Sequence, residues 1–158
     1  AAYKAIPAEA LLDAISQTTG VAEKFNGWPE GYRAIQIWDN RMPSYFFRIF
    51  GRPVRATVCE CERSGEPSIS QALHLLNSPE IMAKIQHRDG TARRLANSEL
   101  TDDELIDELY LTTLSRFPNE EERNLMREAF SDSGSERNEA VEDVLWALLN
   151  TKEFIFNH

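Results

Sequence analysis

Five helix-start signals recur from residue 68 onwards, and each precedes apolar residues at helical spacing. A serine, threonine or asparagine at such a position accepts a hydrogen bond from the free backbone N–H groups of the first helical turn. The signals lie at Ser68, Ser78, Thr101, Asn119 and Thr151, and Glu104 completes a capping box with Thr101. Together they predict an all-α fold, an irregular bundle of about seven helices around one core.

Apolar periodicity sets the extent of the predicted helices. The first opens at Ile6-Pro7-Ala8, with Pro7 in its first turn, and Gly20 lies where a glycine ends a helix. Asp89-Gly90 predicts a turn, with a short basic segment at Arg93-Arg94. Another follows the capping box at 101–104 and carries one stripe of side chains at Ile106, Leu109, Tyr110 and Thr113. The remaining helices are predicted at residues 43–50, 68–77, 78–87, 120–130 and 136–149. Their expected buried faces include Leu125, Met126, Ala129 and Phe130 in one helix and Ala140, Val141, Val144, Leu145 and Leu148 in the last.

Residues 21–66 differ from the rest because they lack a sustained helical period. Glycine and proline interrupt residues 27–31, and large aromatic side chains surround them. We therefore expect an ordered loop segment, rich in aromatic residues and arginine, that crosses the core. The short piece from Ala34 to Trp38 fits extended backbone.

One heptapeptide pattern occurs twice, as LLNSPEI at 75–81 and LLNTKEF at 148–154. Each copy predicts a helix that ends at an asparagine and a new helix that starts at the following serine or threonine. At Asn77 we expect a left-handed backbone that ends the first helix. The repeat is short, so it indicates a reused helix–kink–helix unit rather than a duplication.

Composition excludes several classes of protein. The 158 residues suit a single domain, and the net charge of −9 disfavours nucleic acid and anionic membranes as partners. No apolar run reaches the length of a membrane span, and we expect none. The chain begins within a pattern, so we expect a trimmed C-terminal piece of a larger protein. Two cysteines are too few for a disulfide scaffold.

An arginine-rich window supplies the first candidate site. Residues 41–63 contain five arginines, no lysine and two acids. A guanidinium binds carboxylate, phosphate or sulfate groups in a bidentate manner, which predicts an anion-binding site. The alternative, which we favour, is that the arginines pin an irregular loop through its carbonyl groups. The candidate residues are Asp39, Arg41, Arg52, Arg55 and Arg63.

Two weaker candidates remain. Cys59 and Cys61 would point the same way from an extended strand and could share a soft metal ion, but two ligands are too few, so we predict no metal. Gln71 and His74 share the polar side of a mostly apolar helix and form a candidate polar site, for which a buried, satisfied histidine is the simpler interpretation. We predict no cofactor.

Three stretches of the chain resemble a known family. They are FGRPVRATVCECERSGEPSISQALHLLNS at 50–78, ELYLTTLSRFPNEEE at 108–122 and VLWALLNTKEFIFNH at 144–158. They are similar to the C-terminal part of the planctomycete-specific domain, a family of unknown function. The resemblance implies a domain that ends large exported proteins, often after cytochrome-c-like and sugar-binding-like modules. It implies no catalytic residue.

The combined interpretation is a non-catalytic structural or interaction module with an extracytoplasmic, periplasmic or secreted location. Its expected partners are other domains of the parent protein and, as an option, polysaccharide. The alternative is an enzyme or binding domain that acts on anionic polysaccharide, with Asp39 and the arginines at its site.

Overall fold

The computed structural model describes residues 4–6, 8–25, 29–36, 76–132 and 136–157. Within them seven α-helices make up most of the fold, which confirms the predicted all-α class. A 3-10 turn at Ala34–Gln36 and two paired two-residue strands, β1 (Lys4–Ala5) and β2 (Phe156–Asn157), complete it. The helices are α1 (Ala8–Thr19), α2 (Pro79–Ile85), α3 (Thr91–Ala96), α4 (Asp102–Leu114), α5 (Glu120–Asp132), α6 (Arg137–Leu149) and α7 (Lys152–Ile155).

Helix α6 is the central element of the described fold. It packs against α2, α3, α4, α5 and α7. Its buried side chains are Ala140, Val141, Val144, Leu145, Leu148 and Leu149. The predicted face of this helix is therefore confirmed, and Leu149 extends it.

Two glycines allow the end of α1 to touch the start of α3. Gly20 has φ +70, and a Cβ atom on it would lie 2.8 Å from Thr91 Oγ1. A Cβ atom on Gly90 would lie 3.0 Å from the Thr19 carbonyl oxygen. The predicted helix end at Gly20 is confirmed, and the close approach adds a second reason for glycine there.

The repeated heptapeptide forms the predicted helix-starting cap at both of its sites, although most of the helix before the first copy lies outside the described residues. Ser78 Oγ accepts a hydrogen bond from Ile81 N at 3.4 Å, and Thr151 Oγ1 accepts one from Phe154 N at 3.2 Å. The left-handed backbone expected at Asn77 is wrong, because Ser115 is the one non-glycine residue with positive φ among the described residues. Asn150, in the second copy, has φ −84 and ψ 0. A left-handed residue is therefore not needed at either site, because the serine or threonine cap is enough to start the next helix.

The structure corrects three further expectations. Residues 34–36 form a 3-10 turn instead of extended backbone, and Trp38 lies outside the described residues. The basic segment Arg93-Arg94 belongs to a short helix, α3. In α5 the expected face is only half right, because Met126 and Phe130 are partly buried while Leu125 and Ala129 are exposed.

The pairing of β1 with β2 was not predicted. Lys4 lies opposite Asn157 and Ala5 opposite Phe156, so the first and last described elements are neighbours. The predicted helices at 43–50 and 68–75 lie outside the described residues, although Leu76 is helical and Asn77 is in a turn as expected. None of the helices in the described ranges is long and apolar enough to cross a membrane.

Candidate functional site

The candidate residues chosen from the sequence all lie outside the described part of the chain, so each stays a prediction. This group comprises Asp39, Arg41, Arg52, Arg55, Cys59, Cys61, Arg63, Gln71 and His74. The described residues bring together two other sets of polar side chains, a cleft beside α1 and a cluster around Arg116.

The cleft lies beside the C-terminal half of α1 and opens to solvent. Its volume is about 420 Å³, within the range of about 300–1,000 Å³ typical of small-molecule pockets. Its lining residues are Asp13, Ser16 and Gln17 from α1, Gly20, Ala22 and Glu23 after it, and Gly31, Tyr32 and Arg33 from the facing turn.

Asp13 holds the facing turn in place. Its carboxylate accepts hydrogen bonds from the backbone N–H groups of Ala34 at 2.6 Å and Ile35 at 3.2 Å. The Asp13 side chain is only 9% exposed. These N–H groups open the 3-10 turn and have no partner within it, so the carboxylate caps the turn from 21 residues away. Asp13 is therefore a structural anchor for one side of the cleft.

Lys84 of α2 holds the other side. Its Nζ atom donates to the Val21 carbonyl oxygen at 3.0 Å and lies 3.0 Å from Glu23 Oε2. The Lys84 side chain is largely buried, so the ammonium group offsets the charge of Glu23 away from bulk solvent. Both sides of the cleft are thus fixed by contacts made within the described chain, which makes the cleft a preformed one.

Three side chains at the cleft present their functional groups to solvent. The Arg33 side chain is 65% exposed, Tyr32 is 39% exposed, and Gln17 is also exposed. Arg33 Nε lies 3.6 Å from Asp13 Oδ2 and forms an ion pair with that carboxylate, so the two charges offset each other. Arg33, Tyr32 and Gln17 are thus the exposed polar or aromatic residues among those that line the cleft.

The second set of polar groups surrounds Arg116. Its guanidinium donates to both carboxylate oxygens of Glu122, at 2.8 and 2.7 Å, and to both of Glu153, at 2.7 Å each. It also donates to the Phe117 carbonyl oxygen at 3.0 Å and lies 5.5 Å from the ring centre of Tyr110. An arginine has five N–H groups, and here all five are used.

The hydrogen bonds of this cluster shift the pKa values of both Arg116 and Glu122. The hydrogen bonds from Arg116 hold the pKa of Glu122 below its usual value, and those to Glu122 and Glu153 raise the pKa of Arg116. Burial raises the pKa of the Tyr110 hydroxyl. Because every donor of Arg116 already has a protein acceptor, the cluster joins α4, α5 and α7 and is not a ligand site.

Among the described residues no three or more histidine, cysteine, aspartate or glutamate side chains are grouped so that they could hold a metal ion. Cys59 and Cys61 lie outside the described residues, so the prediction that they hold no metal stays a prediction.

Sequence reasoning missed the cleft for identifiable reasons. Tyr32 is one of several aromatic residues in the irregular segment at 21–66, and Arg33 lies outside the arginine-rich window. In the sequence Asp13 and Gln17 belong to the polar positions of an amphipathic helix, a pattern that is typical of any surface helix. No local signal indicates that the turn at 31–36 packs against them.

Comparison with known proteins gives one result at the level of a family. Residues 6–130 match the PSD1 family, described as a protein of unknown function (DUF1553). The chain matches no curated protein and no solved structure. The matched range covers most of the 158 residues and contains both the cleft and Arg116. The chain therefore belongs to the PSD1 family of proteins of unknown function (DUF1553).

Proposed function

We propose that this domain is a non-catalytic structural or interaction module at the C-terminal end of a large exported multidomain protein, where it contacts other domains of the same protein. The extracytoplasmic location and the multidomain context follow from the sequence resemblance. The net charge of −9 favours a protein partner over nucleic acid.

The observation that carries the proposal is the outer surface of α5. None of the described side chains of this 13-residue helix is fully buried. Leu125 is 61% exposed, and Phe117, just before the helix, is 60% exposed. Glu121 and Glu128 lie one turn either side of Leu125. A partner that covers this surface needs apolar side chains at its centre and basic side chains at its rim.

The test uses the parent protein in two pieces. The region that precedes this chain and the 158-residue domain are produced separately, and their association is measured by calorimetry. We expect saturable binding that weakens at least about tenfold in Leu125→Lys, because the substitution places a charge at the centre of the contact. An equally exposed apolar residue on another surface, Ile35 at 64%, provides the matched control Ile35→Lys.

The outcome is decisive in either direction. Equal effects of Leu125→Lys and Ile35→Lys would contradict a contact through α5. Absence of binding between the two pieces would contradict the interaction role itself.

A second candidate function is binding or processing of anionic polysaccharide. It is supported by the five arginines in residues 41–63, a window that contains no lysine. If those side chains line an anion pocket, Arg55→Ala abolishes affinity for a sulfated or uronic glycan without lowering the unfolding midpoint. If they pin the loop, Arg55→Ala lowers that midpoint and glycan binding is absent.

A further inference from the structure

We propose that α5 is a detachable helix: it leaves α4 and α6 as one unit under native conditions, while the other described helices stay folded, and ionic strength controls how often it does so. The inner face of α5, which contacts α4 and α6, carries this property. It is therefore independent of the interaction role of the outer surface around Leu125.

The inner face of α5 is only half apolar. Its contacts come from one helical stripe, in which Met126 and Phe130 pack against the core and Arg123 and Arg127 form ion pairs with α4. Met126 and Phe130 are only partly buried, and no described side chain of α5 is fully buried. By contrast, α6 buries six apolar side chains. Docking of α5 therefore gains much less free energy from apolar burial than docking of α6, because this gain scales with the area removed from water.

Ionic contacts supply much of the remaining attachment. Three ion pairs hold the helix, and they are Arg123–Asp107, Arg127–Asp103 and Arg116–Glu122. The six side chains are between 17% and 49% exposed. Ion pairs with this exposure contribute little individually and are screened by salt. Docking of α5 should therefore weaken as ionic strength rises.

The connection between α4 and α5 has an unfavourable backbone conformation at its first residue. Ser115 has φ 56, the one positive φ of a non-glycine residue among the described residues. A side chain disfavours this left-handed region, so surrounding contacts must hold the residue there. Arg116, the next residue, makes such contacts with Glu122 and Glu153. Undocking of α5 breaks the Glu122 contact and lets Ser115 relax, which offsets part of the cost of opening.

The rest of the described fold can persist without α5. Helix α6 also packs against α2, α3, α4 and α7. None of the fully buried side chains of the core comes from the described residues of α5. Loss of α5 therefore leaves most of the apolar core assembled, so opening costs less than global unfolding.

Native-state hydrogen exchange of the 158-residue chain, measured residue by residue at low denaturant concentrations, tests this directly. We expect the central amides of α5 to share one opening constant and to exchange at least about 100-fold faster than those of α6. Their exchange should depend weakly on denaturant, because opening exposes little surface, whereas that of α6 should depend strongly. Exchange of α5 as slow as that of α6, or amides of α5 that open one by one with different constants, would overturn the proposal.

A core substitution away from α5 separates local opening from global unfolding. Ile15 of α1 is 0% exposed, and α1 packs against α2 and α3. Ile15→Val should speed the exchange of α6 about fivefold, because global unfolding becomes easier, and should leave the exchange of α5 unchanged. Equal acceleration of both helices would mean that α5 opens only when the whole fold unfolds, and the proposal would be wrong.

Salt and one charge substitution test the ionic control. Exchange of α5 should be about threefold faster at about 1 M than at about 0.01 M sodium chloride, since the screening length falls about tenfold. Arg123→Ala removes one of the ion pairs to α4 and should also speed the exchange of α5 about threefold. The control Arg88→Ala removes an arginine whose side chain is 88% exposed and whose partner is Asp89, and it should change nothing. Insensitivity of α5 exchange to either salt or Arg123→Ala would overturn the proposal.

Discussion

Helices α5 and α6 are the same length, 13 residues each, but they are held in the fold by different forces. Helix α6 buries six apolar side chains and contacts five other helices. Helix α5 buries none completely among its described residues. Its attachment combines the partial burial of Met126 and Phe130 against the core with two ion pairs to α4, Arg123 to Asp107 at 2.6 Å and Arg127 to Asp103 at 2.7 Å, and with Arg116 at the joint between the two helices.

The difference between α5 and α6 shows that a clear amphipathic pattern does not by itself predict how deeply a helix is buried. Helix α5 has well separated apolar and charged faces, whereas the apolar residues of α6 extend around much of its circumference. A helix that is surrounded by others buries most of its circumference and loses the one-sided pattern. A strongly one-sided helix with few apolar residues is therefore the one expected at the surface.

Leucine truncation gives the largest expected contrast. Leu145 of α6 is 0% exposed and Leu125 of α5 is 61% exposed. Leu145→Ala should cost about 2–5 kcal/mol of unfolding free energy because it leaves a cavity, whereas Leu125→Ala should change it by no more than about 0.5 kcal/mol. Denaturant titration of both variants checks this. Similar losses at the two positions would mean that α5 is packed as tightly as α6.

Local signals explain why much of this architecture could be predicted. The capping box at Thr101 forms as expected, with Glu104 N donating to Thr101 Oγ1 at 3.3 Å and Thr101 N donating to Glu104 at 2.7 Å. Asn119 and Glu122 make the same reciprocal pair at the start of α5. Each capping box needs only two residues that lie three positions apart, so it can be predicted from the local sequence alone.

The failures involve partners that are distant in the chain. The 3-10 turn at Ala34 depends on Asp13, and the Arg116 cluster depends on Glu153, 37 residues away. Helix α3 is six residues long and follows Gly90, which provides no side-chain cap, so neither length nor a capping residue indicates this helix in the sequence. The cleft, like the 3-10 turn, depends on residues that are distant in the chain. Its two sides meet only after α1 has packed against the turn, so no local pattern predicts it.

Removing the Arg116 guanidinium should give the second largest effect. Glu122 and Glu153 would each lose two charge-assisted hydrogen bonds, so Arg116→Ala should cost about 1–2 kcal/mol, a figure reduced because the site is partly exposed and screened. Arg116→Lys should recover only part of this, since an ammonium cannot make the same bidentate contacts. The control is Arg88→Ala, whose arginine side chain is 88% exposed. Equal midpoints for Arg116→Ala and Arg88→Ala would contradict a structural role for the cluster.

The same cluster predicts a pH dependence with a defined sign. The pKa of Glu122 is lowered from 4.5, chiefly by its hydrogen bonds from Arg116. A carboxyl whose pKa is lower in the folded than in the unfolded state stabilises the fold above the unfolded pKa, and that stability is lost as pH falls through the folded pKa. Unfolding free energy should therefore decrease as pH drops below about 4.5. Glu122→Gln should be less stable at neutral pH and show a shallower decrease, and an unchanged slope would contradict the assignment.

The smallest expected effects distinguish the two ion pairs along α5. The side chains of Arg123 and Asp107 are 17% and 30% exposed, while those of Arg127 and Asp103 are 45% and 49% exposed. Double-mutant cycles with alanine should give a coupling of about 0.2–1 kcal/mol for Arg123–Asp107. Arg127–Asp103 should give a smaller coupling, because solvent and salt screen it more fully. Raising salt should therefore erase the Arg127–Asp103 coupling first. A larger or more salt-resistant coupling at Arg127–Asp103 would show that exposure does not rank these contacts, and that α5 is anchored mainly at its C-terminal half.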